Sequence, residues 1–168
     1  MVQFKKLLSG NDLRSIGNSN AVVQKVRDQE DFDELFKYLF RNDRAIVMRA
    51  ADAIEKITVV HPSYLKKYKN AILELCSTAT NKELQWHLAQ IVPRLNLCEK
   101  ENEIAWQILS QWALDKDGSK IVRVNAIQAL YQMASENKVA GNNFELLAAA
   151  IKLENIPSIN ARIKKLLS

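Results

Sequence analysis

Apolar residues recur along this chain in two alternating sets of helical stretches. Three stretches of one set align without gaps: residues 46–57 (IVMRAADAIEKI), 84–95 (LQWHLAQIVPRL) and 122–133 (VRVNAIQALYQM). They begin at residues 46, 84 and 122, a spacing of 38 each time. The first, fifth, sixth, eighth, ninth and twelfth positions are apolar in all three, and the third (Met48, Trp86, Val124) also agrees. At 3.6 residues per turn these offsets fill one broad helix face, wider than a single amphipathic helix needs. The small residues on it, Ala50, Ala51, Ala89, Ala126 and Ala129, predict helices that approach one another closely.

The other set, residues 35–40, 64–76, 104–114 and 144–151, alternates with the first. Asp31 or Asp33, Ser63, Asn81, Ser119 and Asn143 are predicted N-caps, and Gly118, Gly141 and Pro157 are expected in connections. Residues 158–167 (SINARIKKLL) read as a last partial copy. Near the amino terminus, Gly17-Asn18-Ser19-Asn20 is expected to interrupt any long helix, before a short apolar stretch over 21–26. The expected layout is one all-α domain over 1–168. It has a cap in 1–30, helix pairs in 31–57, 63–95 and 99–133, and a closing pair in 143–168. A helix pair repeated at a fixed period buries its apolar face only by stacking on its neighbours, so about three repeats with modified ends are needed.

On these residues the chain resembles the HEAT-like family of α-helical repeats. Val122-Arg123-x-x-Ala126-Ile127-x-Ala129-Leu130 is similar to the second helix of a HEAT repeat, as are Ala50-Ala51-x-Ala53-Ile54, and Leu88-Ala89 with Val92. The likeness runs from about Asp31 to the end, and WHLAQIVPRL and ARIKKLL resemble stretches of small bacterial HEAT-domain proteins of uncharacterised activity. The spacing of 38 is shorter than the about 40 to 47 residues of HEAT and armadillo repeats. The resemblance implies a right-handed α-α superhelix with second helices lining a concave side, the architecture of a binding scaffold.

Composition agrees with helices: in 168 residues there are only 4 Gly and 3 Pro. A net charge of +5 permits an acidic protein, nucleic acid or an anionic surface as partner without selecting among them. No run approaches the roughly 20 apolar residues of a membrane helix, and the amino terminus lacks a signal-peptide core, so a soluble, cytoplasmic protein without membrane insertion is expected. Cys76 and Cys98 have no framework spacing, which fits reduced thiols.

Within the aligned stretches the fourth, seventh and eleventh positions are the polar ones, three and four residues apart and hence on one helix face. They form rows: Arg49, Asp52 and Lys56; His87, Gln90 and Arg94; Asn125, Gln128 and Gln132; with Arg162 and Lys165 as an extension. Read functionally, this is a groove with basic ends and an amide-rich middle, suited to another protein or an extended acidic segment. Read plainly, it is the solvated side that every soluble helix has. On the functional reading, reversing Arg49 and Arg94 together should weaken partner binding and leave the thermal midpoint nearly unchanged.

Little points to catalysis. His61, His87, Cys76 and Cys98 are scattered, with no CxxC, HExxH, phosphate loop or nucleophile elbow, so no catalytic residue, cofactor or metal ligand is expected. Cys76 and the three tryptophans sit in apolar runs and read as packing groups. Residues 64–69 (YLKKYK) combine ammonium groups with aromatic rings, which keeps sequence-independent nucleic-acid binding as an alternative. A third reading is a resemblance by architecture to HEAT-like DNA glycosylases, for which Trp86 with Asp52 is the nearest pairing.

Overall fold

The computed structural model describes residues 4–9, 19–135 and 138–168, apart from the side chains at 138 and 139. Among the described residues the chain is all-helical, with no strand. None of the described helices is long and apolar enough to cross a membrane. The contacts divide the chain into two compact units, Met1–Tyr68 and Lys69–Ser168. The boundary falls inside the stretch 63–95 expected as one helix pair.

In Met1–Tyr68 the helices are α1 (Lys5–Leu8), α2 (Ser19–Lys25), α3 (Gln29–Phe36) and α4 (Arg44–Val60). Two 3₁₀ turns, Lys37–Phe40 and Pro62–Leu65, follow α3 and α4. The 17-residue α4 is the hub, packing on α1, α2, α3 and both 3₁₀ turns. It can be approached from several sides because Ala50, Ala51 and Ala53 are fully buried and add little girth. Asp43 starts it: the carboxylate accepts the otherwise orphaned amides of Ala45 at 2.9 Å and Ile46 at 3.1 Å. A second focus is aromatic, with Phe36 stacked on Tyr68 at 3.8 Å and Phe32 against Tyr64 at 5.3 Å.

In Lys69–Ser168 the helices are α5 (Lys69–Thr78), α6 (Lys82–Ile91), α7 (Glu99–Leu114), α8 (Lys120–Ala134), α9 (Lys138–Lys152) and α10 (Pro157–Leu167). Consecutive helices pack as α5 on α6, α7 on α8 and α9 on α10. Helices two apart also touch: α5 with α7 and α7 with α9, then α6 with α8 and α8 with α10. The alternation seen in the sequence is thus an alternation in space within this unit. α8, in contact with α6, α7, α9 and α10, lies at its centre, and its Ala126 and Ala129 are fully covered.

The aligned apolar positions are the core. Of the eighteen, only Leu95 and Met133 are half-buried and all others are buried. Several helix boundaries differ from expectation. Asp28, and not Asp31 or Asp33, caps α3 by accepting the Asp31 amide at 2.9 Å, since Asp31 turns to Arg27 at 3.1 Å. Asn81 and Ser119 stand at N-cap positions without a side-chain cap bond, and Asn143 and Gly141 lie inside α9. Pro157 is the first residue of α10, where its missing N–H costs nothing. Ser63 lies within the 3₁₀ turn Pro62–Leu65, so the expected stretch 64–76 is broken and α5 begins only at Lys69. Gly17 and Asn18 are outside the described residues, while Ser19 and Asn20 form the first turn of α2.

Candidate functional site

The three rows of polar residues do not share one environment. In α4, Arg49 and Asp52 are buried, contrary to a solvent-facing row. Arg49 donates from Nη1 to the Leu8 carbonyl at 2.8 Å, an acceptor at the end of α1 that the helix itself cannot satisfy. Asp52 accepts from the Ser19 hydroxyl and, at 2.7 Å, from the Lys56 ammonium. Lys56 also reaches the Asn20 amide oxygen at 2.9 Å. These polar groups tie α1 and α2 to α4 and serve the packing of their own unit.

In α6, His87 is also buried, with its ring 5.3 Å from that of Trp86, so it offers no exposed imidazole. The remaining members behave differently. Gln90 and Arg94, Asn125, Gln128 and Gln132, and Arg162 come together around one open concavity of about 360 Å³, floored by Ala89, Pro93 and Ala129. Lys165 is exposed on α10 and is not part of its lining.

Local chemistry explains how the concavity arises. Pro93 has no N–H to give the Ala89 carbonyl, so α6 tightens into a 3₁₀ turn over Val92–Arg94, and Pro93 and Arg94 enter the lining. The methyl groups of Ala89 and Ala129 are too small to fill the space between α6 and α8. On the α10 side, Arg162 donates from Nη1 to Gln128 Oε1 at 2.7 Å. Asn125 donates to the Ile121 carbonyl at 2.8 Å within α8. Among the described residues the lining thus holds two guanidinium groups, four amides and no carboxylate, an array whose N–H donors suit carboxylate or carbonyl oxygens.

A buried network absent from the sequence reading holds α8 in place. Arg123, at 1% side-chain exposure, donates from Nε to the Ala113 carbonyl at 2.9 Å. Its Nη2 contacts both oxygens of Glu154, at 2.9 and 2.8 Å. One residue on, Asn155 adopts a left-handed φ of 55°, which lets the chain turn back sharply into α10. Arg123 is visible in the sequence as part of the repeat-like motif. Glu154, in the connection between α9 and α10, carries no local signal that would single it out.

Of the remaining candidate groups, Lys66 and Cys98 are exposed and others are paired or buried. Lys67 pairs with Asp33, and the Tyr68 hydroxyl donates to Asp33 at 2.6 Å. Within the other unit Lys69 pairs with Glu101 at 2.8 Å, and Glu101 also accepts the Cys98 amide at 2.7 Å to start α7. Burial pushes the Cys76 thiol up to about 12, so it stays protonated at neutral pH. Trp86, Trp106 and Trp112 are each half-buried. Comparisons with protein-family models, with curated proteins and with solved structures find no match to this chain.

Proposed function

We propose that Lys69–Ser168 is a non-catalytic binding module of HEAT-like helix pairs whose concavity between α6, α8 and α10 takes an extended, acidic segment of another protein. The observation that carries this reading is the convergence of Arg94, Arg162, Gln90, Asn125, Gln128 and Gln132 on one open space with no acid among the described lining residues. Guanidinium groups bind carboxylates through paired N–H donors, and amides can hydrogen-bond the backbone of an extended chain. The alternation of α5, α7 and α9 with α6, α8 and α10 supports the repeat reading, since stacked pairs present their second helices along one face. Two free cysteines, one of them buried, fit work in the reducing cytoplasm.

The charge density favours a protein over nucleic acid. Two arginines in the lining would release few counterions, and Lys67 and Lys69 of the Tyr/Lys cluster are already paired with carboxylates. The test is capture from a lysate, with and without nuclease, by the wild-type chain and by R94E/R162E. A protein retained after nuclease by the wild type and lost with the variant supports the proposal. Capture that vanishes with nuclease transfers the reading to nucleic acid, and capture indifferent to the variant removes the concavity from the account.

A further inference from the structure

The outward side of α9 is apolar from Leu146 onward. Leu146 is 72% exposed and Leu153, immediately after the last helical residue, is 81% exposed, with Ala149 and Ala150 exposed between them. These offsets of three, four and seven form a continuous seam along the helix, opposite the buried Phe144, Ala148 and Ile151. Scattered exposed leucines are ordinary on soluble proteins, but two of this exposure in register around a pair of alanines make a ridge with a shallow central dip.

The charges beside the seam specify what fits it. Glu145 and Lys152 are both exposed, lie seven residues apart on the same flank, and make no ion pair among the described residues. A second α9 running antiparallel, related by a two-fold axis near Ala149, would set Glu145 of each copy opposite Lys152 of the other. Leu146 of each copy would then lie beside Leu153 of the other, with the alanines facing each other between them. A parallel pairing would place the same flank opposite Ala150 and gain no charge contact. The surface is therefore self-complementary in sign for one orientation, as an isologous contact requires.

We propose that the exposed face of α9 is a homotypic interface, pairing two copies of this chain antiparallel through Leu146, Ala149, Ala150 and Leu153, with Glu145–Lys152 bridges on its flank. Among the described residues none that lines the concavity between α6, α8 and α10 belongs to α9, so the pair would carry two binding grooves and gain avidity for a partner with two acidic segments.

The test is analytical ultracentrifugation of the full chain over a concentration series. Wild type is expected to sediment as a monomer–dimer equilibrium, and L146S/L153S as a monomer whose thermal midpoint equals that of wild type at concentrations where wild type is monomeric. E145K and K152E alone each set like charges against each other and should weaken self-association about tenfold. E145K/K152E, which exchanges the two charges, should regain it, as should an equimolar mixture of the two single variants. A wild type that stays monomeric at all concentrations overturns the proposal. So does a dimer insensitive to L146S/L153S, or one whose single charge variants are not rescued by the exchange or the mixture. Capture by R94E/R162E reads the groove separately, so either proposal can fail without the other.

Discussion

Arg162 on α10 and Gln128 on α8 are joined across the concavity by a hydrogen bond of 2.7 Å from guanidinium to amide oxygen. With its oxygen so engaged, the Gln128 amide offers its NH₂ group as a donor. The lining is thereby biased toward acceptor-bearing partners, the property on which the proposed recognition of an acidic segment rests.

Arginines that the spacing assigns to one polar face are expected to part company on mutation. R94E/R162E changes half-exposed groups at an open surface and should leave the thermal midpoint within about 2 °C of wild type, the shift that about 0.5 kcal/mol produces in a chain this size. R49E buries a carboxylate beside the Leu8 carbonyl and removes the donor that satisfies it, a loss of about 1–3 kcal/mol before repulsion is counted. Calorimetric midpoints of the two variants check the contrast. A midpoint for R49E equal to that of wild type would contradict the burial assigned to Arg49.

Arg123 and Glu154 should behave as one unit. Glu154→Ala leaves a fully covered guanidinium without its counter-charge, and the cost of breaking such a buried pair is about 3–5 kcal/mol. Replacing both by apolar residues, as in R123M/E154L, is expected to cost less than the sum of the two single changes. Urea unfolding of the four proteins gives the coupling, and additive effects would mean that the two groups act independently.

Acid should weaken Met1–Tyr68 through Asp33. Burial alone would raise the pKa of this carboxyl, but hydrogen bonds from Lys67, Tyr68 and Gln29 together hold it below its ordinary value of 3.8. Its contribution is thus complete above pH 3.8 and is lost as pH falls through the lower folded value. Tyr68 has the opposite sign: burial first, then its bond to Asp33, raises the phenol above its ordinary value of 10.0, so that contribution fades only in strong alkali. Thermal midpoints measured between neutral pH and pH 2 should fall for wild type and fall less for D33N, which starts lower. Parallel curves would deny Asp33 this role.

Overpacking the centre of the second unit should be costly. Ala126 has no exposed surface where α8 meets its neighbours, and Ala126→Phe is expected to lose about 1–3 kcal/mol in urea unfolding. An unchanged midpoint would place α8 elsewhere.

The core was legible in the sequence because periodicity reports burial directly: Ile54, Leu88, Ile127 and Leu130 are buried at the positions their spacing gave. Helix ends were less legible. Asp28, Asp31 and Asp33 are equivalent as local cap signals, and only the position of Arg27 and of the Lys67–Tyr68 turn decides which one caps. The polar rows were half legible. Gln90, Arg94, Asn125, Gln128, Gln132 and Arg162 do gather around one space, whereas Arg49, Asp52 and His87 are buried. Polarity at a helical spacing marks a face but does not tell water from a buried partner, and the Leu8 carbonyl that receives Arg49 lies 41 residues away in sequence.

The most direct measurement is selection of a random-peptide display library on the wild-type chain in parallel with R94E/R162E, followed by fluorescence anisotropy of the enriched peptides at two salt concentrations. Acidic, extended sequences enriched on the wild type alone, binding more weakly to the variant and in high salt, are the expected result. Enrichment of the same peptides on both proteins, or of peptides without acidic residues, would contradict a groove that recognises carboxylates through Arg94 and Arg162.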